Sequence, residues 1–71
     1  MTESDIELVK KVGLPQKLAC EQLGLSYVAF KARMSRLMTR YGVENRAALA
    51  IKAIKTGILS PEDFEVRELG D

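Results

Sequence analysis

The stretch Leu23-Gly24-Leu25-Ser26-Tyr27-Val28-Ala29-Phe30-Lys31-Ala32-Arg33-Met34-Ser35-Arg36-Leu37-Met38-Thr39-Arg40-Tyr41-Gly42-Val43-Glu44-Asn45-Arg46 decides the fold. One helix ends at Leu23, a tight turn follows through Gly24, Leu25 and Ser26, and a second helix runs from Tyr27 to Tyr41. Gly24 breaks the first helix, Leu25 turns inward, and Ser26 brings a side-chain oxygen for the unsatisfied amides of the next first turn. Gly42 is placed to end the long helix in a left-handed cap, and Asn45 is a good cap for another helix after it.

The long helix separates into faces at about 100° per residue. Phe30, Met34, Leu37 and Tyr41 fall on one narrow stripe with Tyr27 and Met38 beside it, which reads as core. The opposite face presents Val28, Ala32, Ser35, Arg36 and Thr39, with Lys31 and Ala29 at its edges and Arg33 and Arg40 nearer the core boundary. Short side chains near the start and cations along the length suit a helix laid close against a polyanion.

Outward from this pair, helical spacing recurs and no useful strand alternation appears, which predicts an all-α chain of four helices. A first helix is expected from about Ser4 to Lys11, with Ile6, Val9 and Val12 (or Leu8 in place of one) on a common side and Gly13 as its stop. Leu14-Pro15 opens the second helix with proline in the first turn; Leu14, Leu18, Cys20 and Leu23 face in, and Gln16, Lys17, Glu21 and Gln22 face out. The fourth helix runs from Asn45 to Gly57 and is apolar on two sides. Ala47, Ala50, Ile51 and Ile54 form one side; Leu49, Ala53 and Thr56 form a second, expected to be covered by a partner subunit. Ser60-Pro61-Glu62-Asp63 has the form of a helix start, and Phe64 and Leu69 are expected to pack back on the body. Residues 1–59 thus form the domain and residues 60–71 an acidic C-terminal segment, whose helicity the sequence leaves open.

Seventy-one residues make one small domain, near the lower limit at which a chain buries enough apolar surface to fold alone. No apolar run approaches the roughly 20 residues of a membrane span, and the start Met1-Thr2-Glu3-Ser4-Asp5 is acidic, unlike a signal peptide. The expected location is the cytoplasm, on the nucleoid, with no membrane partner. With one cysteine and no histidine, the sequence predicts neither a disulfide framework nor a metal site, and nothing in it calls for a cofactor. Cys20 reads as a small core residue. No paired carboxylates, phosphate-cradling glycine loop or nucleophile with its base can be found, so an enzyme is not expected.

A formal charge of +1 conceals an uneven distribution. Ten lysines and arginines between Lys10 and Leu59 face only Glu21 and Glu44, a net of +8. Glu3, Asp5 and Glu7 precede that region, and Glu62, Asp63, Glu65, Glu68 and Asp71 follow it with Arg67 as the lone cation. A basic centre between acidic ends points to a polyanion on the middle of the fold, where the plain alternative is a solvated charged surface.

Gly13-Leu14, Lys17, Leu23, Leu25-Ser26, Phe30-Lys31, Ser35, Leu37-Met38, Gly42-Val43, Asn45-Arg46, Leu49, Ala53 and Gly57-Ile58-Leu59 together resemble the four-helix DNA-binding domain of the LuxR/FixJ (GerE-like) transcription regulators. The likeness runs without a gap from Ile6 to Leu59, and its most specific part is the run from Tyr41 to Ala47 with the later Ala53 and Gly57-Ile58-Leu59. It implies a stand-alone domain of this type that binds double-stranded DNA, with the third helix in the major groove and the fourth in a homodimer contact. Matching positions imply base contacts from Lys31, Ala32 and Ser35, to which the face analysis adds Val28. They imply phosphate contacts from Lys17, Ser26, Tyr27, Arg33, Arg36 and Arg40, and a dimer interface on Leu49, Ala53 and Thr56. Ala29 stands where the family usually has threonine, and Arg33 where it usually has histidine.

The alternative is a protein-interaction module on the same fold, binding RNA polymerase or another regulator. The aliphatic start of the third helix (Val28, Ala29, Ala32) suits it, and the acidic tail could mask the basic face.

Overall fold

The computed structural model describes residues 1–67. They form α1 (Glu3–Lys10), α2 (Gln16–Leu23), α3 (Tyr27–Arg40) and α4 (Arg46–Lys55), followed by a single 3-10 turn over Pro61–Asp63. No strand occurs among the described residues, and the chain is all-α. Leu69, expected to pack on the body, lies outside the described residues.

Each helix start has a local cause. Thr2 caps α1 reciprocally: its hydroxyl accepts the Asp5 N–H at 3.2 Å, and the Asp5 carboxylate accepts the Thr2 N–H at 3.2 Å. That box starts the helix a residue earlier than the apolar spacing suggested. Pro15 occupies the cap of α2 rather than its first turn, with no side-chain cap bond. Ser26 Oγ accepts the Ala29 N–H at 3.1 Å and Asn45 Oδ1 the Ala48 N–H at 2.8 Å, as the sequence predicts. Ser60 donates its N–H to Asp63 Oδ2 at 2.8 Å.

The helix ends repeat one device. Gly24 and Gly42 take φ of 67° and 66°, a region where a side chain is strained. The following amide then returns to a carbonyl five residues back: Leu25 N–H to the Cys20 carbonyl at 3.0 Å and Val43 N–H to the Met38 carbonyl at 2.9 Å. Gly57-Ile58 repeats the pattern at the end of α4. Leu25, Val43 and Ile58 each pack on the core, so a glycine followed by an aliphatic residue both stops the helix and pins the chain that leaves it.

The core comprises Leu8 and Val9 of α1, Leu14, Ala19 of α2, Phe30, Met34 and Leu37 of α3, Leu49 and Ala53 of α4, and Leu59. α2 and α4 pack on α3, and α1 packs on α4. Phe30, Met34 and Leu37 bury as the helical phase predicts, each worth about 1.5–3 kcal/mol of apolar burial. In α1, Leu8 joins Val9 in the interior while Ile6, and Val12 beyond the helix end, are half-buried. In α2, the fully buried residue is Ala19, and Leu18, Cys20 and Leu23 lie at the margin.

Two expectations are corrected. Leu49 and Ala53, assigned to a dimer interface, are 0% exposed within this one chain, because their face of α4 meets α1 and α3. Thr56, assigned to the same interface, is exposed, and its hydroxyl donates to the Lys52 carbonyl at 2.8 Å. The apolar face left to solvent is the other one, with Ile51 54% and Ile54 37% exposed. Gly13 does not end α1, which stops at Lys10. Gly13 instead leaves room for the C-terminal segment: a Cβ there would lie 3.1 Å from the Glu65 carbonyl oxygen and 3.2 Å from Val66 Cγ1.

Candidate nucleic-acid interface

α3 follows α2 after only Gly24, Leu25 and Ser26, and its inner stripe fixes its rotation. With Phe30, Met34 and Leu37 anchored inward, the outward residues are determined by helical geometry alone. Val28, Ala32, Ser35 and Thr39 are all exposed and form one strip of short, uncharged side chains along the helix. Arg33, Arg36 and Arg40 are exposed on one flank of the strip, and Lys31 and Tyr27 stand on the other.

The two flanks differ in what they touch. Lys31 Nζ lies 5.3 Å from the centre of the Tyr27 ring, one turn earlier, a cation–π contact on that side of the strip. Arg33, Arg36 and Arg40 line an open groove of about 580 Å³, shared with Thr2, Ser4 and Asp5 of the α1 start. Asp5 forms no ion pair with them; its carboxylate accepts the Thr2 N–H. Among the described residues the ion pairs are Lys10–Glu7 and Lys11–Glu65, so the four cations of α3 have no acidic partner there. Unpaired guanidinium groups along an exposed face are suited to phosphate or carboxylate oxygens, which they bind in bidentate fashion.

The expected base-contacting residues Val28, Ala32 and Ser35 come together on the strip, and Lys31 borders it. The expected phosphate-contacting residues divide. Arg33, Arg36 and Arg40 form one flank; Ser26 and Tyr27 lie at the start of α3, where the Ser26 oxygen is also the helix cap. Lys17 is exposed on the first turn of α2. Sequence reasoning missed Thr2 and Ser4 as walls of the arginine groove, because only the tertiary fold brings α1 beside α3. It also missed the part played by Arg46. That side chain lies 5.8 Å from the Phe30 ring centre and donates to Gln16 Oε1 at 3.2 Å, tying the starts of α2 and α4 over the core.

The fold and this face define an all-α domain of four helices with a cationic, exposed third helix. Compared with family models, curated proteins and solved structures, the chain matches none. No helix among the described residues is long and apolar enough to cross a membrane.

Proposed function

We propose that this protein is a sequence-specific double-stranded DNA-binding transcription regulator of the LuxR/FixJ (GerE-like) type. α3 lies in the major groove and the protein acts as a homodimer. The observation that carries the reading is the uncharged strip Val28–Ala32–Ser35–Thr39 between unpaired cations on both flanks. A helix entering the major groove needs short side chains toward the base edges and cations toward the phosphates on either side. Lys31 and Ser35 supply polar contacts to bases; Arg33, Arg36, Arg40, Lys17, Ser26 and Tyr27 hold phosphates. The homodimer contact belongs to the exposed aliphatic face of α4, on Ile51 and Ile54.

The test is selection from randomised duplexes with the purified protein, followed by affinity measurement at several salt concentrations. The expected result is a palindromic consensus, bound with an affinity that falls steeply as salt rises because neutralised phosphates release counterions. No enrichment, or binding indifferent to salt, would overturn the proposal. One observation favours a second reading, a protein-interaction module: Tyr27 and Val28 are large apolar residues left 55% and 76% exposed at the start of α3. A stoichiometric complex with RNA polymerase that buries Val28, formed by a protein that retains no duplex, would support that reading instead.

A further inference from the structure

We infer that α3 selects its site through the 5-methyl groups of two thymines, met by Val28 and Ala32. This rests on the DNA-binding reading above and adds to it the chemistry that is recognised. Among the described residues Val28 is the most exposed of the large hydrophobics, at 76%, and no part of the described chain covers it. A β-branched side chain is a poor choice for an exposed helix position, since it loses rotamer freedom and gains no burial. Ala32 lies one turn further along the same face and is also exposed.

The chemistry of Val28 and Ala32 narrows what these two residues read. Guanine is read in the major groove by the bidentate fork of arginine or by lysine, adenine by a side-chain amide, and cytosine by a carboxylate. The strip itself carries none of these groups: Ser35 and Thr39 bring hydroxyls that serve any base, Lys31 borders the strip beside the Tyr27 ring, and Val28 and Ala32 are aliphatic. The one apolar feature that a base pair presents in that groove is the thymine methyl. The cations on both sides decide the occupant, because an aliphatic pair flanked by unpaired positive charge complements a groove walled by phosphates rather than an apolar protein surface. The spacing agrees. Four residues of helix rise about 6 Å, close to two base-pair steps of about 3.4 Å, so the two methyl groups belong to pairs about two steps apart.

The inference is tested on duplexes enriched by the selection. Each thymine is replaced in turn by deoxyuridine, which deletes the methyl and keeps the pairing. At two positions per half-site, about two steps apart, affinity should fall about fourfold, the factor carried by burial of one methyl group. In Val28→Ser the loss at one of these positions should vanish, and in Ala32→Ser the loss at the other, with the salt dependence unchanged. Both residues are exposed, so circular dichroism should show unaltered folding. Enriched duplexes without such thymines, salt-dependent binding that ignores every uracil, or uracil losses that persist in both variants would each overturn the methyl reading and leave DNA binding standing. A protein that binds no duplex overturns both.

Discussion

The Lys11 ammonium is paired with the Glu65 carboxylate, 54 residues away in sequence, and also donates to Gln22 Oε1 at 2.9 Å. Beside this pair the Glu65 N–H donates to the Lys10 carbonyl at 2.8 Å, and Gly13 leaves space for the passing chain. One lysine, with a side chain only 10% exposed, therefore ties the end of α1, the last turn of α2 and the acidic C-terminal segment together. The segment's Glu65 neutralises the corner between α1 and α2, and the cations of α3 keep no acidic partner among the described residues.

Unequal effects should follow at the two ends of that pair. Lys11→Ala removes two hydrogen bonds and a packed aliphatic stem, and should cost about 1–3 kcal/mol in urea unfolding. Glu65→Gln should cost less, about 1 kcal/mol or below, since that side chain is 44% exposed and its pairing is screened by water. Equal losses in the two variants would show that the ammonium depends on Glu65 alone.

Phe30 is the largest fully buried side chain, and its ring also supports Arg46. Phe30→Ala should cost about 3–5 kcal/mol. A chain of this length holds only about 0.05–0.15 kcal/mol of stability per residue. For 71 residues that is about 4–11 kcal/mol, so the variant should lose a large share of its stability, read as a lowered urea midpoint by circular dichroism.

Charge on the arginine flank should act on all DNA alike. Replacing Arg36 or Arg40 by alanine should weaken binding to specific and random duplexes by similar factors and reduce the salt slope by about 1 for each arginine. Lys31→Ala should behave differently if its ammonium reaches a base, weakening specific sites by about 1–3 kcal/mol more than random ones.

Ile51 is 54% exposed in the single chain, so Ile51→Glu should change stability by no more than about 0.5 kcal/mol. On a dimeric protein the same change buries a carboxylate between copies. Sedimentation should then show a monomer, and binding to a two-half-site duplex should fall to that of a single half-site. An unchanged dimer would exclude this face of α4.

α3 was legible because one sequence window contains everything that orients it. The Ser26 cap, the stripe through Phe30, Met34 and Leu37, and the Gly42 stop are local, so the outward face follows from helical geometry once the stripe is buried. α4 was not legible in the same way. Both its faces are apolar at helical spacing, and no local rule chooses between Leu49 with Ala53 and Ile51 with Ile54. Gly13 carried a similar ambiguity: a glycine after a helix suggests a cap, whereas here its bare Cα admits a segment more than 50 residues downstream.

The sequence by itself determined the all-α class, the helix limits near Ser26, Asn45 and Gly42, and the exposed strip of α3, because caps, glycine stops and periodicity act within a few residues. Only the tertiary structure decided which side of α4 is interior, that the start of α1 walls the arginine groove, and that Glu65 closes on Lys11. Those outcomes depend on which helices meet, and contacts between distant segments compete for burial in ways that a local pattern does not record.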